Sequence, residues 1–145
     1  IPGVSAPQRS FIAGTSATQT INSTLTTLTR VAFNTTTAAN RHNDGLTFNT
    51  ATNSFTVTVA GVYQIEAGVD FVSTGGGQYE IYLQRNGLAF AKNKLNGANG
   101  EFVNCSRLVK LAVGEVITVA VAQNSGSARQ IANTTDTYFS VFQVY

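Results

Sequence analysis

Residues 54–71, SFTVTVAGVYQIEAGVDF, alternate between apolar and polar side chains over almost their whole length. The apolar residues from Phe55 to Val59 fall on one side of this alternation. After Gly61 a second series, from Tyr63 to Phe71, does the same. Because successive residues of a strand point to opposite faces of a sheet, a period of two predicts half-buried β-strands. This stretch therefore predicts two strands joined by a turn at Gly61.

The same alternation recurs through most of the chain, and no window has the 3.6-residue period of an amphipathic helix. Asn86-Gly87 predicts a tight type I′ hairpin. The spacing of the turns predicts an all-β sandwich or barrel of eight to ten short antiparallel strands. Further strands are expected at 10–13, 29–33, 79–83, 88–91, 103–111, 117–121 and 138–145, and loops at 34–45, 73–77, 95–100 and 124–136.

Composition excludes several classes of partner. Charged residues make up 11% of the chain and the net charge is +2, with no basic stripe along the sequence, so nucleic acid is not an expected partner. The longest apolar run is far shorter than the ~20 residues that span a bilayer, which argues against membrane insertion. A surface rich in Thr, Asn and Ser instead of charge is common outside cells and on virions, and we expect one of those locations.

The chain offers little for catalysis or metal binding. His42 is the one histidine and Cys105 the one cysteine, so a zinc site within one subunit lacks ligands. Cys105 is expected to be a buried apolar residue and His42 a solvated loop residue. No G-x-S-x-G motif accompanies the histidine. The sequence therefore predicts a protein that is not an enzyme and needs no cofactor.

Four segments together resemble a known family. They are VAFNTTTAANRHNDGLTFNTATNSFTVTVAGVYQIEAGVDF (31–71), IYLQRNG (81–87), VKLAVGEVITVAV (109–121) and YFSVFQVY (138–145). In this order and spacing they resemble the globular heads of complement component C1q and tumour necrosis factor, although Ala60 and Ser140 replace the usual Pro and Gly. The resemblance implies a ten-strand antiparallel jelly-roll sandwich that forms a homotrimer. Residues 1–145 would then be one head domain, with residues 1–8 as the end of a stalk or linker.

The strands near the C-terminus have apolar residues on both faces. Tyr138 and Phe142 alternate with Phe139 and Val141, so one pair must lie outside the sandwich core. We expect the outer residues to be buried between subunits, because large apolar patches are unusual on soluble monomers. By resemblance, Glu66, Asn104 and Tyr138 match the threefold axis of the related heads, where Glu66 would bond to Asn104 or Tyr138 or hold an ion. The predicted trimer interface is Glu66, Phe102, Asn104, Leu108, Tyr138 and Phe142.

Two functions remain open at this stage. In the first, the domain is the trimeric head of a phage or bacterial surface fibre, and its loops bind a glycan or protein receptor. The candidate binding residues are Arg41, His42, Asn43, Asp44 and Arg129, whose side chains suit polar recognition. In the second, the domain is a structural trimerisation cap or decoration domain with no ligand of its own.

Overall fold

The computed structural model describes residues 9–72, 75–97 and 102–145. These residues form thirteen strands and no helix. No helix of the kind that could cross a membrane is therefore found in the described part of the chain. The strands are β1 (Ser10–Ala13), β2 (Gln19–Ile21), β3 (Thr24–Arg30), β4 (His42–Asp44), β5 (Thr47–Asn49), β6 (Ser54–Thr56), β7 (Gly61–Val72), β8 (Gln78–Arg85), β9 (Leu88–Asn96), β10 (Phe102–Leu111), β11 (Val116–Gln123), β12 (Arg129–Ile131) and β13 (Tyr138–Gln143).

The strands form two antiparallel sheets. Sheet one has the order β2-β12-β7-β13-β1-β4, with β10 on the other edge of β7. Sheet two has the order β5-β6-β11-β8-β9. The third strand lies beside β11, where the Val31 amide, just after β3, donates to the Val119 carbonyl at 2.9 Å.

The core lies between the sheets and is filled by the predicted alternating residues. Tyr63, Ile65 and their partners on β8, β11 and β13 are fully buried. Phe139 is central, because its ring packs edge-on against Phe11 at 5.2 Å between centroids and also contacts Phe33. Aromatic pairs of this geometry add roughly 0.5–1.5 kcal/mol beyond the burial of their area. Cys105 is buried as predicted, and burial raises the pKa of its thiol.

The described residues hold more strands than the ten that were expected. The predicted loops 34–45 and 124–136 contain β4 and β12, and the Thr-rich stretch before residue 29 contains β2 and most of β3. β2, β4 and β12 escape prediction because three residues are too few to show a period of two, and their pairing depends on edges supplied by distant segments. β9 also continues to Asn96, beyond the predicted 88–91 and into the predicted loop 95–100, while residues 73, 74 and 98–100 of the predicted loops lie outside the described part.

A hairpin turn lies at one end of the sandwich. Asn86 and Gly87 both have positive φ angles, of 52° and 82°, which confirms the type I′ hairpin between β8 and β9. The two ends of the described chain meet at this same end of the molecule. The Gln143 amide donates to the Arg9 carbonyl at 2.9 Å, and the Val62 amide donates to the Tyr145 carbonyl at 2.7 Å.

Candidate assembly face and binding residues

The six predicted interface residues share the outer face of sheet one, which is the face turned away from the core. Residues directly opposite one another in neighbouring strands share a face, and the register places β7 in the middle. Gly68 has Tyr138 on one side and Asn104 on the other, and Gln64 has Phe142 and Leu108. The other two predicted residues occupy neighbouring rows, with Phe102 opposite Asp70 and Glu66 opposite Ser106.

This outer face carries large apolar side chains in water. Phe102, Leu108 and Phe142 are 40%, 58% and 42% exposed. They lie on two rows of the same β7-centred ladder, with Leu108 and Phe142 on either side of Gln64 and Phe102 opposite Asp70. Exposed apolar surface that is gathered on one face is typical of an interaction site, whereas isolated exposed residues are not.

Gly68 shapes the centre of the face. A methyl group at this position would lie 2.6 Å from the Tyr138 ring and 2.7 Å from the Phe102 ring. Both distances are far below van der Waals contact. The two rings can therefore lie against β7 only because Gly68 has no side chain. The aromatic rings therefore cover the backbone instead of projecting away from the sheet.

Glu66 and Tyr138 form a hydrogen-bonded pair on this face. The Tyr138 hydroxyl donates to the Glu66 carboxylate. Burial raises the pKa of Tyr138, and the bond to Glu66 and the negative charges of Glu66 and Asp136 raise it further. Tyr138 therefore remains a neutral donor. Of the two partners expected for Glu66, the structure supplies Tyr138, while the Asn104 carbonyl accepts a bond from Asn93 at 2.9 Å.

Arg41 is held by the fold. Its guanidinium donates to the carbonyls of Thr134 and Thr137 at 3.1 and 2.8 Å, and burial lowers its pKa. The same side chain lies where a Cβ at Gly14 would have to be. Arg41 therefore ties the segment before β4 to the segment before β13, which its position in a polar stretch of sequence did not reveal.

The expectation that His42, Asn43 and Asp44 lie in a loop is wrong. They form β4, which pairs with β1 at the edge of sheet one. His42 Nε2 is hydrogen-bonded to Ser10 Oγ at 2.9 Å, and Asn43 Oδ1 accepts the Leu46 amide at 3.2 Å. This serine–histidine pair lies on the outer face at the edge of the sheet. The polar composition hid a strand whose pairing partner is more than thirty residues away.

Arg129 begins β12 and contacts a different set of segments. Its Nε donates to Ser125 Oγ at 2.8 Å, and its guanidinium lies close to Gly75. Arg129 also lines a small cleft of about 170 Å³ with Val72, Ala128 and Gln130. The five candidate binding residues are therefore spread over β4, the segment before it, and β12.

A polar cleft between β9 and β10 was not predicted from the sequence. The cleft has a volume of about 280 Å³ and is lined by Lys92, Asn93, Asn104, Cys105 and Ser106. Arg107 follows directly and is exposed. No three His, Cys, Asp or Glu side chains among residues 9–72, 75–97 and 102–145 lie close enough together to hold a metal ion.

Comparison with known proteins matches this arrangement to a family. The C1q domain model matches residues 10–144. The chain belongs to the C1q domain family. No curated protein matches this C1q domain in sequence.

Solved structures support the same fold. Murine APRIL, determined at pH 5.0, superposes with a TM-score of 0.69 at 13% identity, covering 95% of this chain and all of that one. Eiger TNF from S. frugiperda superposes with a TM-score of 0.65 at 10% identity, covering 95% of this chain and 92% of that one. At such low identity the likeness concerns the fold, and it confirms the predicted jelly-roll sandwich.

Proposed function

We propose that this C1q domain is the homotrimeric head of a surface fibre or filament, and that three copies assemble through the outer face of sheet one. The observation that supports this proposal is the cluster of Phe102, Leu108 and Phe142, which remains exposed in one copy. Burial between copies would stabilise the assembly by roughly 25 cal/mol for each Å² of apolar area.

The same proposal covers the setting of the domain. Heads of the C1q and tumour necrosis factor type are generally extracellular, and a charge-poor surface rich in Thr and Asn suits the outside of a cell or virion. We propose a phage or bacterial fibre as the source and a glycan or protein receptor as the ligand. The alternative is a structural cap that holds three chains in register and binds nothing else.

Sedimentation equilibrium tests the assembly. We expect a mass of about 46 kDa, three times the 15.3 kDa of one chain. Phe142→Glu places a charge on the face and should yield folded monomer. Val113→Glu is the matched control, because Val113 is 65% exposed in the turn between β10 and β11, away from the face. A wild-type chain that sediments as a monomer at micromolar concentration would contradict the proposal.

Binding to a glycan array and to host cells separates the two functions. A receptor-binding head should show saturable binding that disappears when loop residues are substituted. A structural cap should show none, while its trimer remains intact. The variants must keep the wild-type mass, so that lost binding is not confused with lost assembly.

The charge of Glu66 needs a partner in such an assembly. Three copies of the face would bring three carboxylates into a drier environment, where an unpaired charge is costly. Water, a bound cation or cationic side chains from another copy could each compensate for it.

A further inference from the structure

The segment that joins β12 to β13 is hydrogen-bonded to Asp70 of β7 at three points. We call residues 132–137 the β12–β13 connection. At its start the Ala132 amide donates to the Asp70 carbonyl at 2.8 Å, and at its end the Asp70 amide donates to Thr137 Oγ1 at 3.1 Å. Between these points Thr134 Oγ1 donates to the Asp70 carboxylate at 3.4 Å. Asp70 therefore anchors the whole connection to sheet one.

The β12–β13 connection is attached mainly by hydrogen bonds. Arg41 also holds it, through the carbonyls of Thr134 and Thr137. Residues 133–136 are exposed, and Thr137 is buried. A segment that buries little apolar area opens at a lower free energy than the core of a domain. The connection is therefore the kind of segment that can open while the sandwich stays folded.

Two carboxyl groups lie close together where the connection is anchored. Asp70 is partly buried, opposite Phe102 on the outer face of sheet one, and Asp136 belongs to the exposed part of the connection. Burial raises the pKa of Asp70 and the charge of Asp136 raises it further, whereas the bond from Thr134 acts in the opposite direction. When both carboxyls are ionised, like charges therefore repel each other at the anchoring point.

Other charged or titratable groups lie on the elements around Asp70. They are Glu66 on β7, Tyr138 on β13, Arg107 on β10, Arg129 on β12 and Arg41 before β4. The neighbouring charge that raises the pKa of Asp70 is nevertheless that of Asp136. The protonation of Asp70 is therefore linked to the segment that Asp70 anchors.

We propose that Asp70 and Asp136 form a pH-sensitive latch, which holds the β12–β13 connection on β7 in acid and loosens it near neutral pH. Protonation of one carboxyl removes the repulsion between the two and supplies a hydroxyl donor. All the contacts of the latch lie within one copy, so the proposal does not depend on the trimer. Because Tyr138 directly follows the connection, the latch also links pH to one end of the outer face of sheet one.

The direction of the pH effect follows from the raised pKa of Asp70. A carboxyl whose pKa is higher in the closed form than in the open form favours closing when it is protonated. This contribution is complete below the ordinary aspartate pKa of about 3.9, and it is lost as the pH rises through the raised pKa. The closed connection should therefore be more stable in acid than at neutral pH.

Amide hydrogen exchange tests the latch, because the bonded Ala132 amide exchanges when the connection opens. Its protection factor should be at least about threefold higher near pH 4 than near pH 7, since closing takes up a proton. Asp136→Asn keeps the size of the side chain and removes the repulsion, so it should raise protection at neutral pH and abolish the difference. Asp44→Asn removes another exposed carboxylate, on β4, and should keep the wild-type difference.

A second substitution separates the pair from the general effect of acid on the domain. Asp70→Asn should also abolish the pH difference, and the double variant should do no more than either single one, because a single interaction is removed. Circular dichroism verifies that each variant folds, and Asp136→Asn decides the matter if Asp70→Asn does not fold. The latch is refuted if wild-type protection is equal at the two pH values, or if Asp136→Asn keeps the same pH difference as Asp44→Asn.

Discussion

The outer faces of the two sheets differ in how their side chains are hydrogen-bonded and covered. On sheet two the outer side chains bind one another. Glu80 accepts from Tyr82 and Gln78, and Thr118 donates to Gln84 at 3.3 Å. On sheet one a similar carboxylate–tyrosine pair, Glu66 with Tyr138, is surrounded by exposed aromatic and aliphatic side chains.

The difference shows which outer face is already covered by its own side chains in a single copy. Ala120 and Ala122, on the outer side of β11, are as buried as core residues because the larger side chains of Tyr82 and Glu80 stand opposite them. No comparable cover lies over Phe142 or Leu108, which face solvent. A polar network thus covers the outer face of sheet two, while the outer face of sheet one keeps exposed apolar side chains.

The largest expected effect tests whether the outer face of sheet two is already buried in a single copy. Ala120→Asp places a charge at a site that is 1% exposed, so we expect a loss of about 3–5 kcal/mol in the free energy of unfolding. Urea denaturation of a monomeric background such as Phe142→Glu measures it. Ala89→Asp on the exposed start of β9 is the control and should cost little. Equal losses at the two sites would remove the distinction between the faces.

A smaller effect tests whether a polar side chain that lies outside the exposed apolar face serves the fold. Arg41→Ala removes two hydrogen bonds to carbonyls, and we expect it to cost about 1–3 kcal/mol in thermal or urea unfolding. Arg30→Ala, which loses one longer bond to Thr52, is the comparison and should cost less. If Arg41→Ala instead leaves stability unchanged and abolishes ligand binding, Arg41 belongs to a recognition surface.

The smallest effect concerns Tyr82. Burial, the bond to Glu80 and the charge of Glu80 raise the pKa of Tyr82 to about 12. The folded state therefore favours the neutral phenol. This contribution is complete below the ordinary tyrosine pKa of about 10 and is lost as the pH rises through about 12. Spectrophotometric titration should show a late tyrosinate component that Tyr82→Phe removes, whereas an unchanged titration would mean that Glu80 does not hold the hydroxyl.

Much of the fold could be predicted because long strands carry a long pattern. The alternation from Tyr63 to Phe71 identified the core-facing residues of β7, and the same reasoning placed Phe102, Leu108, Tyr138 and Phe142 on a single outer face. Assembly through that face depends on contacts with a second copy of the chain.

The binding residues were harder to predict, since their roles depend on distant partners. Arg41 looks available in sequence because its two acceptors lie more than ninety residues away. Lys92 and Asn104 look unrelated in sequence, and they line one polar cleft only because β9 and β10 lie at the same side of the sandwich. The pattern of residues along the chain therefore missed a cleft that the topology creates.

The meeting of Arg9 with the C-terminal segment has a consequence for engineering. Because the Gln143 amide already bonds to the Arg9 carbonyl, a short linker could join Tyr145 to Arg9 without disturbing any strand pair. New termini could then open in the turn at Gly126, which no ladder crosses. Such a circular permutant would carry its fusion partner at the opposite pole of the sandwich, so the direction in which the domain is displayed can be chosen independently of its fold.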